Sequence, residues 1–207
     1  MHLKGNRIRP SSSHITSGTI MILKASDPDG MPHIVHDYRA LNAETVKDHT
    51  PLMRQEDIID SMARAIVHGK IDLVCAYYQI LMEIADVHKT AFKTPFGMYE
   101  WLVILQGLCN AVATFQRYMN WVLRDYVDKF CAVYIDDIGI WSNSVEEHAE
   151  HVCLILKKLR EAGITVTIKK SILFADEIQF LGRLISSRGV ELAGTKVDKV
   201  LASRTPT

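Results

Sequence analysis

Two adjacent aspartates lie between two short apolar runs in the stretch AVYIDDIGIW, residues 132–141. Each run is rich in β-branched and aromatic residues, a composition typical of short strands. The stretch therefore predicts a β-hairpin with Asp136 and Asp137 at or beside its turn. Two carboxylates about 4 Å apart repel by roughly 4 kcal/mol at an effective dielectric constant near 20. Such a pair is either a solvated turn, which is the commoner case, or a site that holds a cation.

The segments around this hairpin predict an antiparallel sheet backed by helices. The first strand of that sheet is largely apolar but contains Asp72, and a buried carboxylate needs a partner. The predicted order is strand 70–74, helix 110–126, hairpin 131–141, helix 145–162 and strand 164–168. This order resembles the split βαβ plan, in which the first strand can lie beside the hairpin. Asp72 would then lie close to Asp136 and Asp137.

The second predicted helix carries recognisable end signals. Ser144 followed by Glu147 is a capping-box pattern at its start, and Gly163 is typical of the position just after a helix. His148 and His151 lie on this helix at i, i+3 spacing. On a charged helix that spacing is more typical of a solvated face than of a zinc site.

Three aspartates on adjacent strands have a chemistry in common with phosphoryl-transfer sites. Hard oxygen ligands suit Mg²⁺, which in proteins is usually held by one or two carboxylates together with substrate phosphates and water. Two such ions can stabilise both the attacking and the leaving oxygen of an in-line displacement. The sequence alone thus supports a metal hypothesis, although a ferredoxin-like phosphotransfer or signalling domain would satisfy it equally.

Composition excludes several classes of protein. The chain has 207 residues, 24 basic and 24 acidic side chains, and a hydrophobic content of 48%, which is ordinary for a globular domain. Its four cysteines form no CxxC pair, so a disulfide framework or zinc knuckle is not supported. No apolar run approaches the roughly 20 residues of a membrane span, and no signal peptide is apparent at the N-terminus. We therefore expect an intracellular protein without a membrane partner.

Eight sequence boxes, in order, resemble the reverse transcriptase of gypsy-type long-terminal-repeat retrotransposons. The tetrapeptide YIDD at residues 134–137 resembles the tyrosine-x-Asp-Asp box of that family, and the similarity extends over about residues 3–200. One short box would be weak support, but eight in register are specific. The boxes are IRPSSS (8–13), DYRALNAETVKD (37–48), KIDL with YYQI (70–80), KTAF with FGMYEWLV (89–103), GLCNAVATFQRYMN (107–120), VYIDDIGIWS (133–142), EEHAEHV (146–152) and FLG (180–182).

The resemblance implies an α+β fold, the fingers and palm of a right-hand polymerase. The palm is expected to be a split βαβ (ferredoxin-like) antiparallel sheet backed by helices. One reverse transcriptase domain would span residues 1–203, with thumb, ribonuclease H and integrase absent. Its expected parts are fingers at about 1–66 and 90–104, palm at about 67–89 and 105–178, and a primer-grip hairpin at about 178–192.

The resemblance also implies roles for individual residues. Asp72, Asp136 and Asp137 would bind Mg²⁺, with Mn²⁺ as an alternative, and Lys170 would protonate the leaving pyrophosphate. The implied nucleotide-binding residues are Lys24, His33, Tyr77, Gln106 and Gly107, and the implied primer grip is Phe180, Leu181 and Gly182. Tyr77 would favour deoxynucleotides by blocking a ribose 2′-OH. Without the family register, Tyr77 is more typical of a core aromatic.

The implied partners are an RNA or DNA template-primer and a dNTP. The chain would be a polyprotein fragment, joined to protease, ribonuclease H and integrase in an intact element. It would act in a cytoplasmic particle or in the nucleus.

Some positions depart from the family pattern. His33 stands where the family usually has an arginine that contacts the triphosphate, and a histidine is a weaker, titratable substitute. Ala76 replaces a glycine, and ILQGLCNAV at 104–112 replaces a proline-containing box. These departures predict impaired polymerase activity. The alternative is a catalytically silent, nucleic-acid-binding remnant of a mobile element.

Overall fold

The computed structural model describes residues 7–22 and 33–192. None of the helices in these ranges combines the length and the apolar character that a bilayer crossing requires. The strands and helices are β1 (Ile8–Pro10), β2 (Thr19–Ile22), β3 (His33–His36), α1 (Arg39–Glu44), α2 (Gln55–Ala63), β4 (Val67–Asp72), β5 (Phe92–Thr94), β6 (Gly97–Trp101), α3 (Ala111–Val122), β7 (Cys131–Tyr134), β8 (Asp137–Ser142), α4 (Val145–Glu161), β9 (Ile172–Ala175), β10 (Glu177–Phe180), β11 (Arg183–Ser186) and β12 (Gly189–Leu192).

The chain divides into two compact units. Unit 1 comprises Met1–His49 and Cys75–Phe115, and unit 2 comprises Thr50–Val74 and Gln116–Thr207. The bounds given above for fingers and palm stay a prediction.

Unit 1 contains two small antiparallel sheets. One is three-stranded in the order β1-β6-β5, and the other pairs β2 with β3. Aromatic side chains dominate its core because a few large rings bury the most area in a small unit. The buried members of this core are Tyr38, Phe92, Trp101, Val103 and Leu105.

A buried histidine lies beside this aromatic core. The indole Nε1–H of Trp101 donates to Nε2 of His36 at 3.0 Å, and the Thr19 hydroxyl lies 3.2 Å from Nδ1. Because Nε2 accepts, the ring is neutral with its proton on Nδ1. Burial lowers the pKa of His36 to about 4.

We predict that the protein loses stability as the pH falls from about 6.5 to about 4. In this window His36 becomes protonated in the unfolded chain and stays neutral in the folded one, so protons favour unfolding. The loss from this residue is up to about 3 kcal/mol. Urea unfolding at a series of pH values should show the decline, and it should be shallower in His36→Gln. His14→Gln, at an exposed position, is the control. Equal slopes of the unfolding free energy against pH in the wild type, His36→Gln and His14→Gln would contradict the prediction.

Unit 2 contains a four-stranded antiparallel sheet in the order β7-β8-β4-β9. Helix α3 lies in the connection from β4 to β7, which also contains β5 and β6, and α4 connects β8 to β9, so the split βαβ plan is confirmed. The prediction of the last strand at 164–168 is wrong, because the fourth strand of this sheet is β9, at Ile172–Ala175. The predicted segment makes an isolated bridge from Val166 to Leu73 and then tightens into a 3₁₀ helix at Ile168–Lys170.

Two glycines reveal what covers each face of this sheet. A Cβ added at Gly139 would lie 3.2 Å from Met62 Sδ in α2 and 3.1 Å from Phe180 Cζ in β10. A Cβ added at Gly69 would lie 3.0 Å from Nε2 of His148 in α4. Side chains alternate between faces along a strand, so α2 and the β10–β12 meander cover one face and α4 covers the other. The buried core on the first face comprises Ile58, Ile59, Met62, Ala65, Ala132, Trp141, Ile178, Phe180 and Ile185.

Helix α4 has the ends that its sequence predicts. The Ser144 side chain accepts a hydrogen bond from the Glu147 backbone N–H at 3.1 Å. The Glu147 carboxylate reaches back to the backbone N–H of Asn143 at 2.7 Å, and Gly163 follows the helix with φ +71°. The capping signals are therefore confirmed.

The solvated face predicted for the two α4 histidines is wrong. His148 is fully buried, lies 2.8 Å from the Ser142 hydroxyl and donates from Nε2 to the Leu173 carbonyl at 2.9 Å. His151 stacks on Phe130 with a centroid separation of 3.6 Å. The reason is that His148 begins the buried stripe of α4, where its polar atoms find partners on β8 and β9.

Candidate active site

The register between β4 and β8 brings two of the three predicted aspartates together. Asp72, the last residue of β4, is the cross-strand partner of Asp137, the first residue of β8. Cross-strand partners point to the same face of a sheet, with Cβ atoms about 4.5–5.5 Å apart. The backbone of Asp72 is held on both sides: its N–H donates to the Ser171 hydroxyl at 3.1 Å, and its carbonyl accepts from the Thr167 N–H at 2.8 Å.

The third aspartate lies in the turn of the β7–β8 hairpin. Tyr134 pairs with Asp137, so Ile135 and Asp136 alone form the turn. Ile135 has φ +54°, a left-handed conformation that is rare for a β-branched residue and is usually given to glycine in such turns. The predicted hairpin is confirmed, and its turn carries backbone strain beside the carboxylates.

Gln116 fixes this turn from α3. Its side chain is fully buried, donates from Nε2 to the Val133 carbonyl at 2.8 Å and accepts the Ile135 N–H on Oε1 at 3.1 Å. The same amide also donates to Asn120 at 3.0 Å. One side chain therefore satisfies the backbone on both sides of Tyr134. Sequence reasoning missed it, because a glutamine on an amphipathic helix carries no local signal of such a role.

The carboxylate of Asp136 is in an unfavourable environment for a negative charge. Its Oδ1 is buried, with no hydrogen-bond partner among the described residues. Burial raises the pKa of Asp136, and the negative charges of Asp137 and Asp72 raise it further. A buried acceptor without a donor is the arrangement that a cation would relieve.

Asp137 has a cationic partner that the sequence analysis did not single out. Lys70 Nζ lies 2.9 Å from Asp137 Oδ2, and both side chains are about one quarter exposed. Lys70 stands two residues before Asp72, so the two side chains share a face of β4. That i, i+2 spacing in a strand is the signal that could have identified it.

The loop after α4 brings Lys170 into the same region of unit 2. Lys170 ends the 3₁₀ helix Ile168–Lys170 and is exposed. The next residue, Ser171, is the one that binds the Asp72 backbone. The segment of Lys170 is thus anchored to the strand end that carries Asp72.

The predicted primer-grip residues form the turn between β10 and β11. Phe180 pairs with Arg183, and the two turn residues Leu181 and Gly182 have φ +49° and +75°. Positive φ at both central positions matches the right-handed twist of the flanking strands. Phe180 is fully buried over Gly139 of β8, so this turn is attached to the strand that begins at Asp137.

The remaining predicted site residues belong to unit 1. Tyr77 lies in a 3₁₀ helix, Ala76–Gln79, is 8% exposed and has its ring 5.5 Å from that of Phe115. Gly107 has φ +101°, and its carbonyl accepts from the Asn42 side chain at 2.7 Å, next to exposed Gln106.

The other two predicted nucleotide contacts are less fully described. The His33 backbone pairs with Ile22, and Lys24 lies outside the described residues. For these positions and those above, the nucleotide-binding roles stay predictions.

The donor chemistry of the aspartates fits a divalent cation. Carboxylates are the hard ligands that Mg²⁺ and Mn²⁺ accept, and Asp136 supplies an oxygen without a partner. Within the described ranges, no three His, Cys, Asp or Glu side chains are grouped so that they could hold a metal ion. One of the three carboxylates, that of Asp137, already has a cationic partner in Lys70.

Solved structures with a similar fold define the class of protein. The fold is similar to that of foamy virus protease-reverse transcriptase in complex with double-stranded DNA, with a TM-score of 0.89 and 27% identity over 99% of this chain and 35% of that one. A second foamy virus structure, in complex with an RNA/DNA hybrid, matches with a TM-score of 0.88 and 26% identity over 99% of this chain and 27% of that one. The α+β, right-hand polymerase fold is therefore confirmed.

Sequence comparison then gives the family. The model for reverse transcriptase (RNA-dependent DNA polymerase) matches residues 23–185. The Pol polyprotein of transposon 297 from Drosophila melanogaster is 36% identical over 97% of this chain, and that of transposon gypsy is 34% identical over 96%. The chain spans about a fifth of the length of these relatives, 19% of each. The chain belongs to the reverse transcriptase family.

Replacing Gln116 with Met should destabilise unit 2. The substitution keeps the side-chain volume but leaves the Ile135 N–H and the Val133 carbonyl without partners, at a cost of about 2–4 kcal/mol. The free energy of unfolding in urea measures it. Asn120→Ala is the control, since it removes one side-chain contact of Gln116 and neither of its hydrogen bonds to the backbone. A Gln116→Met protein as stable as this control would contradict the role of Gln116 in holding the turn.

Proposed function

We propose that this chain is the polymerase domain of a retrotransposon and extends a primer with deoxynucleotides on an RNA or DNA template. The observation that carries the proposal is the register that sets Asp72 opposite Asp137, with Asp136 in the adjoining turn. The relatives are Pol polyproteins, and the similar solved structures hold double-stranded DNA or an RNA/DNA hybrid, which supports nucleic acid as the substrate class.

The reaction is an in-line displacement at phosphorus. The primer 3′-oxygen attacks the α-phosphorus of the dNTP and loses its proton, the bond from that phosphorus to the bridging oxygen breaks, and pyrophosphate leaves. Two Mg²⁺ ions bound by Asp72, Asp136 and Asp137 would supply charge neutralisation at the attacking and leaving oxygens. The contribution of the chain is to hold the three carboxylates on rigid strand ends, so that little reorganisation is needed during the reaction.

Other residues take supporting roles in this proposal. Lys170, at the exposed end of its 3₁₀ helix, donates a proton to the leaving pyrophosphate. The turn of Leu181 and Gly182 holds the primer end, and its fixed backbone suits that task. The nucleotide would be bound by Lys24, His33, Tyr77, Gln106 and Gly107, as the family resemblance implies.

Two observations favour a weakly active or silent copy. His33 replaces the expected arginine, and Lys70 neutralises one of the three carboxylates. A remnant of this kind would still bind an RNA/DNA hybrid while failing to extend a primer. Primer extension and hybrid binding, measured on the same preparation, separate the two functions.

Primer extension with Mg²⁺ or Mn²⁺ tests the polymerase directly. We expect the purified protein to extend a primer slowly, and Asp136→Asn to lower the rate by at least about 100-fold because charge neutralisation at the reacting phosphate is lost. Asp125→Asn, an exposed aspartate at the end of a surface ion pair, is the matched control. Extension that persists in Asp136→Asn would rule out this site, and vigorous wild-type extension would rule out impairment.

Restoring the arginine should improve nucleotide binding. In His33→Arg we expect the KM for dNTP to fall by about fivefold, since a guanidinium binds phosphate with two parallel hydrogen bonds and stays charged. The turnover number should change less than KM. The matched control is His14→Arg, which adds the same charge at an exposed position of unit 1. Equal effects of the two substitutions would show a general charge effect and contradict the assigned contact.

A further inference from the structure

We propose that Lys70 is an internal counter-ion that competes with divalent cations for Asp137, so that it sets the cation concentration at which the site fills. The inference rests on the proposed function, because it assumes that Asp137 is a metal ligand. It goes beyond that function by assigning a regulatory charge to a residue outside the aspartate triad. The carrying observation is the 2.9 Å contact between Lys70 Nζ and Asp137 Oδ2.

The sheet geometry makes this contact a built feature of the fold. The cross-strand partner of Lys70 is Gly139, and the cross-strand partner of Asp72 is Asp137. Lys70 and Asp137 are therefore diagonal neighbours on one face, a separation that a long side chain can span. Gly139 contributes no side chain to this face, and the ring of Phe180 packs against it.

The partial burial of the pair gives it more strength than a surface ion pair has. Lys70 is 23% exposed and Asp137 is 27% exposed at the side chain, so water screens the two charges incompletely. Asp72, paired with Asp137, and Asp136, in the adjoining turn, add negative charge at the same strand ends. An ammonium group placed here offsets their mutual repulsion in the absence of any ion.

A cation that takes Asp137 as a ligand must displace this ammonium group. The two positive charges would otherwise lie within a few ångströms of each other, where they repel strongly at the dielectric constant of a half-buried site. Removal of the lysine charge should therefore tighten cation binding, whereas a residue that only supports the fold would loosen it or leave it unchanged.

Titration of the intact protein with Mn²⁺, read by the electron paramagnetic resonance signal of the free ion, tests this inference. We expect Lys70→Met to lower the dissociation constant by about five- to tenfold, and Lys70→Arg to keep the wild-type value because it restores the charge. Lys158→Met is the matched control, since Lys158 on α4 is a partly buried lysine paired with Glu161 of the same helix and with Asp125 after α3. Lys70→Gln replaces Lys70→Met if the latter fails to fold.

A second measurement needs no metal. In buffer with chelator, a double-mutant cycle of Lys70→Met and Asp137→Asn on the free energy of unfolding should give a favourable coupling between the two residues. Zero coupling would overturn the inference.

The titration results separate this inference from the proposed function. An unchanged or raised dissociation constant in Lys70→Met, or no Mn²⁺ binding by either protein, would also overturn the inference. Primer extension lost in Asp136→Asn would still support the polymerase. If Lys70→Met binds Mn²⁺ more tightly and no protein extends a primer, the inference stands and the proposed function fails.

Discussion

The antiparallel register between β4 and β8 is the constraint on which the candidate site depends. It sets Asp72 opposite Asp137 and Lys70 opposite Gly139. A slip of one residue would send every side chain of β4 to the other face, so that Asp72 would enter the core beneath α4. The register is specified because both faces of the sheet are covered: Gly69 admits α4 on one side, and Gly139 admits Phe180 and α2 on the other. Packing in the middle of the two strands thereby decides where the carboxylates at their ends lie.

The hairpin turn adds two local free-energy costs, backbone strain and charge repulsion, and a different residue offsets each of them. Ile135 holds a positive φ that its branched side chain disfavours, and Gln116 holds the turn through hydrogen bonds on both sides of Tyr134. Asp136 and Asp137 repel each other, and Lys70 neutralises the second of them. Such unfavourable local arrangements persist only where interactions with the surrounding structure hold them in place. The buried amide of Gln116 and the ion pair of Lys70 are those surroundings.

The sequence predicted the parts of this structure that depend on local pattern. The apolar runs around Asp136 and Asp137 predicted the hairpin, and the cap residues predicted the ends of α4. The errors and omissions come from interactions between distant segments. His148 looked solvated because its partners lie on other elements, the Ser142 hydroxyl on β8 and the Leu173 carbonyl on β9, and the pattern of the helix alone does not show them. The last strand begins eight residues later than predicted, at Ile172, since segment 164–168 binds the end of β4 before a strand can start.

A site that gathers three carboxylates must be stable before any ion arrives. Without a positive charge nearby, the repulsion between Asp136 and Asp137 would favour protonation or a displaced turn. An internal lysine solves this problem, but the same charge then opposes the ion. A chain that holds Asp137 more firmly with Lys70 therefore gains stability at the expense of cation affinity, and the half-buried position of the pair sets the balance between the two. The two neighbouring carboxylates therefore differ: Asp137 is neutralised within the protein by Lys70, while Asp136 keeps a buried Oδ1 without a hydrogen-bond partner among the described residues.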